Sequence, residues 1–97
     1  MPLNNSIIEK IANDAGLADV SELKRLSLIS YLTDKKRKIK MDILEIYNRY
    51  NISTANELNK KISEGIIDEH PAWEDCIFLE NLEDSLFTIE EDIKTLQ

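Results

Sequence analysis

The stretch "LENLEDSLFTIEEDIKTL", residues 79–96, decides the fold. Its apolar residues recur at alternating steps of three and four, and they are Leu79, Leu82, Leu86, Ile89, Ile93 and Leu96. This spacing is typical of a helix with a narrow apolar seam, as in coiled coils. Such a seam is buried only when another helix packs along it. The stretch therefore predicts a long helix paired with a second long helix.

A candidate partner helix lies earlier in the chain. Its apolar positions are spaced by seven, four, three and four residues, and they are Leu32, Ile39, Ile43, Ile46 and Tyr50. The pattern predicts a helix that ends at Asn51, but it leaves open whether that helix restarts near Thr33. Because the chain has only two Gly and two Pro, helices are favoured throughout. We expect an all-α bundle whose two long helices pair as an antiparallel hairpin or across subunits.

Shorter helices are marked by three capping boxes, in which Ser, Thr or Asp precedes Glu by three residues. The boxes are Ser6 to Glu9, Asp19 to Glu22 and Thr54 to Glu57, and Gly16 and Gly65 are placed to end helices. Ile66 and Ile67 are expected to insert into the core. The prediction is one domain, 1–97, with an N-terminal helical pair over 1–33, a basic long helix over 34–50, a short helix over 54–64 and an acidic helix over 71–97.

The charge is distributed unevenly along the chain. Residues 1–61 carry eleven Lys and Arg against eight Asp and Glu, a net charge of +3, whereas residues 62–97 carry eleven acids against one Lys, a net charge of −10. The two segments attract each other within one chain or between subunits, and the acidic one repels nucleic acid.

Length and cysteine content narrow the class of protein. A chain of 97 residues buries only about two thirds of its unfolded surface, so a homodimer is expected. The single Cys76 excludes an internal disulfide and fits a reducing compartment. Since the sequence has neither a secretory leader nor a run of about eighteen apolar residues, we expect a soluble cytoplasmic protein without a membrane partner.

The stretch "EHPAWEDC", residues 69–76, has two interpretations. A metal site would use His70, Glu74, Asp75 and Cys76. With one His, one Cys and no pair at metal-ligand spacing, a structural joint is favoured. Pro71 would occupy the first turn of the helix after an Asp68 cap, and Trp73 would anchor the helix on the body. We therefore predict no metal and no cofactor.

A nucleic-acid interpretation rests on two features. The first is "DKKRKIK", residues 34–40; the second is the segment 11–17, which resembles the first helix and turn of a helix-turn-helix unit. The candidate contacts are Lys24, Arg25, Lys35, Lys36, Arg37, Lys38 and Lys40. However, the cluster points all round its helix, and the acidic helix is available to cover it. Leu23 and Leu26 also come one residue later than helix-turn-helix spacing requires, so a plain helical hairpin is favoured.

Catalytic equipment is missing from the sequence. Nucleophilic triads, phosphate-binding glycine loops and zinc-peptidase motifs are absent, and both glycines are assigned to helix ends. We expect a non-catalytic protein.

The run "TANELNKKISEGIIDEHPAWEDCIFLENLED", residues 54–84, resembles small prokaryotic antitoxin-like partners of small toxins, which have a HPAWED-type turn before an acidic helix. The resemblance implies a protein that docks this helix on a basic partner. The expected contact residues are Trp73, Phe78, Glu80, Glu83, Asp84, Phe87, Glu90 and Glu91, with apolar anchors providing affinity and acids steering the encounter. A nucleic-acid-binding transcriptional regulator and a self-assembling scaffold remain the alternatives.

Overall fold

The computed structural model describes residues 4–97, and this part of the chain is all-α, as predicted, without a β-strand. Its four helices are α1 (Asn5–Asp14), α2 (Val20–Tyr50), α3 (Ala55–Ser63) and α4 (Glu69–Leu96). At about 1.5 Å per residue, the 31 residues of α2 extend over roughly 46 Å. The molecule is accordingly elongated, with extents of 60 × 28 × 16 Å.

The two long helices, α2 and α4, pair in opposite directions within one chain. Three contacts show this: Arg25 reaches the Leu96 carbonyl, Lys36 approaches Glu90, and Tyr50 donates to Asp75. From the first of these contacts to the third, the residue number rises in α2 and falls in α4. The two helices are therefore antiparallel, which confirms the predicted hairpin. Because α2 continues without interruption from Val20 to Tyr50, the helix does not restart near Thr33, a point that the sequence left open.

The main core lies where α2, α3 and α4 meet. It comprises Ile39, Ile43, Ile46, Ile52, Ala55, Leu58, Ile62, Ala72, Cys76, Leu79 and Ile89. The seam predicted on α4 is the face that packs: Leu79 and Ile89 are buried, and Leu82, Leu86 and Ile93 lie partly buried against the core. α3 packs against the N-terminal half of α4, where Ala55 contacts Cys76 and Glu83.

Most helix ends follow the sequence signals. The side chains of Asp19 and Thr54 each accept a hydrogen bond from the backbone amide three residues on, at 2.8 and 3.1 Å. Asn51, Gly16 and Gly65 have left-handed backbone angles, with φ of 52°, 73° and 74°. Each ends a helix where a left-handed residue lets backbone amides reach free carbonyl groups.

The start of α1 corrects the prediction that Ser6 is its cap. The Asn4 side chain accepts from the backbone amide of Ile7 at 3.0 Å, and Ser6 lies inside the helix. Asn and Ser are both common cap residues. Because the helix begins at Asn5, the Asn4 side chain is the one placed to accept from a free amide of the first turn.

The capping boxes also differ from expectation in their second half. The Glu22 carboxylate binds Arg25 instead of returning to the cap amide, and the Glu57 carboxylate accepts from the amide of Ser53, one residue before the cap. The long side chain of a glutamate can therefore bind a donor other than the cap amide.

The joint between α3 and α4 is built differently from the prediction. Asp68 makes no side-chain capping bond, and His70 has extended angles (φ −111°, ψ 127°), so the regular part of α4 begins at Pro71. A residue before proline is sterically excluded from the helical region, which explains the bend. Ile67 packs against the core as expected, whereas Ile66 is exposed and that part of the prediction is wrong.

The N-terminal pair is a helical hairpin in which α1 packs on the first third of α2. Ala12 is buried there, outside the main core. Within residues 4–97, no helix has both the length and the apolar character needed to cross a bilayer.

Candidate protein-binding surface

A second stripe of side chains runs along α4, on a different side of the helix from the packed seam. Its members recur at steps of four and three residues, and they are Trp73, Ile77, Glu80, Asp84, Phe87 and Glu91. We call this set the outer stripe. At about 1.5 Å per residue it is roughly 27 Å long. The helical repeat that places one stripe of α4 in the core necessarily places this one outside it.

The outer stripe exposes large apolar groups. Trp73, Ile77 and Phe87 have exposed fractions of 51%, 46% and 67%. Apolar surface of this size costs free energy in water and marks a candidate contact region. Phe87 also borders a groove between α2 and α4 with Ile43 and Tyr47. The stripe thus combines apolar side chains and carboxylates on one accessible surface.

The structure therefore corrects the role of Trp73 in the joint. Trp73 was expected to anchor α4 on the body, yet half of it is exposed, while Ala72 and Cys76 on either side are buried. The small side chains of Ala72 and Cys76 allow α3 to approach α4 closely. An indole in place of either side chain would not fit between the two helices. The anchor prediction is wrong, which leaves the indole available for other contacts.

Phe78, another predicted contact residue, lies on the opposite side of α4 from Phe87. The two are nine residues apart, and at about 100° per residue they point in opposite directions. Phe78 instead borders a shallow depression together with Asp42, Arg49 and Asp75. One partner helix cannot lie across both phenylalanines, so the predicted contact set divides.

Glu83 is engaged within the fold. Its Oε2 atom accepts hydrogen bonds from the Tyr47 hydroxyl at 2.7 Å and from the backbone amide of Ala55 at 2.9 Å. That amide belongs to the first turn of α3, where backbone donors have no partner in their own helix. Burial, together with the Glu83 carboxylate, raises the pKa of Tyr47 to about 12. Glu83 therefore ties α2, α3 and α4 together.

A second pair of a tyrosine and a carboxylate joins α2 and α4, nearer the C-terminal end of α2. Asp75 accepts from the Tyr50 hydroxyl and from Arg49, the latter at 2.9 Å. Burial raises the pKa of Tyr50, and the negative charge of Asp75 adds to this effect. Six acids of α4 thus fall into two groups. Asp75, Glu83 and Glu90 face α2, the last through its 3.9 Å approach to Lys36, whereas Glu80, Asp84 and Glu91 belong to the outer stripe.

The candidate metal ligands of "EHPAWEDC" do not converge. Cys76 is buried and its thiol donates to the Ala55 carbonyl at 3.6 Å, and burial raises its pKa. His70 and Glu74 form an exposed pair at 3.3 Å, and Asp75 faces α2. In the part of the chain that the structure describes, no three potential metal ligands come together. A neutral, buried thiol is also a poor nucleophile.

The basic residues of α2 form mostly local contacts. Arg37 and Lys38 pair with Asp34 of the same helix, and Lys35 lies over the Tyr31 ring at 5.9 Å. Arg25 is held by Glu22 and the Leu96 carbonyl, Lys40 is exposed, and Lys24 borders an apolar groove beside α1. Of the described ion pairs, Lys36 with Glu90 is the one that joins the basic cluster to α4. The acidic helix therefore covers the cluster at one position.

Comparison with known proteins adds the family. A family model matches residues 3–97, nearly the whole chain. The chain belongs to the uncharacterized protein MJ0235 family. Among curated proteins and among solved structures, no significant match is found. The family description assigns no activity. Inferences about function therefore rest on the chemistry of the exposed residues.

Sequence reasoning found the aromatic members of the outer stripe but not the stripe itself. The contact residues expected from the sequence include Trp73 and Phe87, but they also include Phe78 and omit Ile77. Counting steps of four and three from Trp73 separates the two sides of α4 and was the available signal. The outer stripe of this MJ0235-family member thus presents apolar area and negative charge on one side of α4.

Proposed function

We propose that this MJ0235-family chain is a non-catalytic protein-binding module whose outer stripe docks on a basic amphipathic helix of another protein. The observation that carries the proposal is that three exposed apolar side chains and three exposed acids share one side of α4. An amphipathic helix presents side chains at the same spacing, so two such stripes can pack along each other.

The two kinds of residue divide the work of binding. Trp73, Ile77 and Phe87 provide apolar area that is removed from water in the complex, and aromatic residues of this kind often dominate binding energy. Glu80, Asp84 and Glu91 are positioned to meet Lys or Arg at the rim. The net charge of −10 over residues 62–97 accelerates encounter with a basic partner and disfavours nucleic acid.

The internal state of the titratable groups supports a non-catalytic role. Tyr47, Tyr50 and Cys76, whose pKa values are raised mainly by burial, are each bonded to groups of the fold and stabilise the helix junction. Perturbed groups at catalytic sites typically line a cleft and face a substrate, and these three face neighbouring helices instead. A buried reduced thiol is also consistent with a cytoplasmic location.

The resemblance to antitoxin-like proteins extends the proposal to the nature of the partner. The partner class is then a small basic toxin whose active surface is covered by α4. Such a partner would bury the outer stripe and leave the α2 side of α4 in its present packing.

Fluorescence provides a direct test because Trp73 is the only tryptophan and belongs to the stripe. Two synthetic amphipathic helices with identical apolar positions are titrated in, one with Lys and one with Glu at the polar positions. We expect a saturable blue shift with the basic helix and none with the acidic one. Phe87→Ala should weaken this binding, whereas Phe78→Ala should not.

The Phe78→Ala variant is a matched control. Both residues are exposed phenylalanines of α4, but they lie on opposite sides. Equal binding of the basic and acidic helices, or equal losses from the two alanine variants, would contradict docking on the outer stripe.

A further inference from the structure

An apolar groove lies between α1 and the beginning of α2, far from the helix junction. Its apolar walls are formed by Ile7, Ile8, Ile11, Leu23 and Leu28, and its volume is about 520 Å³. Ile7, Ile11 and Leu28 are 40%, 49% and 50% exposed. We call it the N-terminal groove. It is separate from the outer stripe of α4 and involves none of its residues.

We propose that a second copy of this chain fills the N-terminal groove, with two α1–α2 hairpins packing face to face about a twofold axis. Each hairpin supplies two helices, so the pair forms a four-helix bundle. A twofold interface brings the same patch of both copies together, and therefore requires a surface that matches itself. A groove walled by Ile and Leu meets this requirement, because apolar groups are complementary to one another without any particular partner of opposite charge.

Charge favours this part of the molecule for self-association. Residues 4–28 carry four acids and three bases, a net charge of −1, whereas residues 62–97 carry a net charge of −10. Two copies of a chain with net charge −7 repel each other most strongly through their acidic segments. The end of α4 that approaches the hairpin, residues 93–97, carries Lys94 and no acidic side chain. The two copies can therefore meet at the hairpin with little repulsion.

The N-terminal groove differs in charge from the outer stripe, the surface proposed for a basic partner. A basic helix gains nothing electrostatically from the N-terminal groove, whose wall carries one charged residue, Lys24. The long aliphatic part of that side chain can lie along the apolar surface while its ammonium group stays in water. A near-neutral apolar surface is thus better matched by its own copy than by a strongly charged protein.

Packing gives a second reason. Within the described part of the hairpin, Ala12 is the residue that is fully buried, whereas the junction of α2, α3 and α4 buries eleven residues. Two helices alone form a single layer whose apolar side chains remain half exposed, and a domain normally buries them against a second layer. The second hairpin supplies that layer for both copies at once.

The test is sedimentation equilibrium of the full chain over a hundred-fold range of concentration. We expect the wild-type mass to rise from monomer to dimer. Ile11→Lys and Leu28→Lys should weaken association by roughly tenfold or more, since each places a charge in the buried interface. Leu44→Lys is the matched control: Leu44 is also an exposed leucine of α2, at 55%, but lies outside the groove, so this variant should dimerise like wild type.

Circular dichroism of the dilute monomer checks that the variants remain folded. Leu28→Ala keeps a good helix former and removes apolar area only, so it should weaken the dimer even if a lysine unfolds α1. Raising the salt concentration should leave association unchanged or strengthen it, because repulsion is screened. A wild type that stays monomeric throughout, groove variants that dimerise normally, or a dimer lost on Leu44→Lys would each overturn the proposal.

Discussion

The carboxylate of Glu83 joins three helices through one oxygen atom, which accepts from the Tyr47 hydroxyl and the Ala55 amide. Glu83→Ala removes the acceptor for both donors and leaves them without a partner at the junction. A hydrogen bond to a charged group contributes about 1.5–3 kcal/mol, and partial exposure places these two at the lower end. We expect the free energy of unfolding to fall by about 3 kcal/mol.

A double-mutant cycle isolates the bond between Glu83 and Tyr47. Tyr47→Phe alone should cost about 1.5 kcal/mol, and the double variant should be no worse than Glu83→Ala alone, so that the coupling energy is about 1.5 kcal/mol. Glu83→Gln should lose less than Glu83→Ala, because an amide oxygen can still accept from both donors.

The assay is urea unfolding followed by circular dichroism, with thermal melts as a second measure. For a domain of this size, 1 kcal/mol corresponds to roughly 4–8 °C in Tm. Asp84→Ala, one residue along on the exposed side, serves as control and should stay within about 0.5 kcal/mol of wild type. Strict additivity of Tyr47→Phe and Glu83→Ala would refute the reasoning.

Further predictions concern pH and packing. Because the folded pKa of Tyr47, about 12, lies above its ordinary value near 10, its contribution to stability is complete below pH 10 and is lost as the pH rises towards 12. Melting curves over that range should show a smaller decline for Tyr47→Phe. Leu79→Ala should cost about 2–5 kcal/mol in urea unfolding, because Leu79 is fully buried. Trp73→Ala should cost less than about 1 kcal/mol in the same experiment, and a larger loss would show that the indole supports the joint after all.

The sequence predicted the architecture because the seam of α4 and the apolar positions of α2 repeat with helical periods over many residues. A long repeat averages out the influence of any one position. The continuity of α2 near residue 33 could not be decided in the same way, since Thr and Asp are compatible with a cap and with an exposed helical position alike. The fold chooses the second, and Asp34 pairs with Arg37 and Lys38 on the helix surface.

The surface was harder to predict, for reasons that two residues illustrate. Trp73 has the largest side chain of its segment and was expected to be buried, but the close approach of α3 favours the small residues beside it. Glu83 resembles its exposed acidic neighbours in sequence. Its second donor, the Ala55 amide, comes from a helix 28 residues earlier, and only the tertiary structure brings the two together.

We propose that α4 docks on a basic protein through its outer stripe. The most direct measurement is gentle purification of the tagged chain from its native host, followed by light scattering, absorbance at 260 and 280 nm, and mass spectrometry of wild type, Phe87→Ala and Phe78→Ala. We expect a stoichiometric basic protein that is retained by wild type and Phe78→Ala and lost with Phe87→Ala. Nucleic acid released by salt in place of a protein, or a protein retained equally by all three, would contradict it.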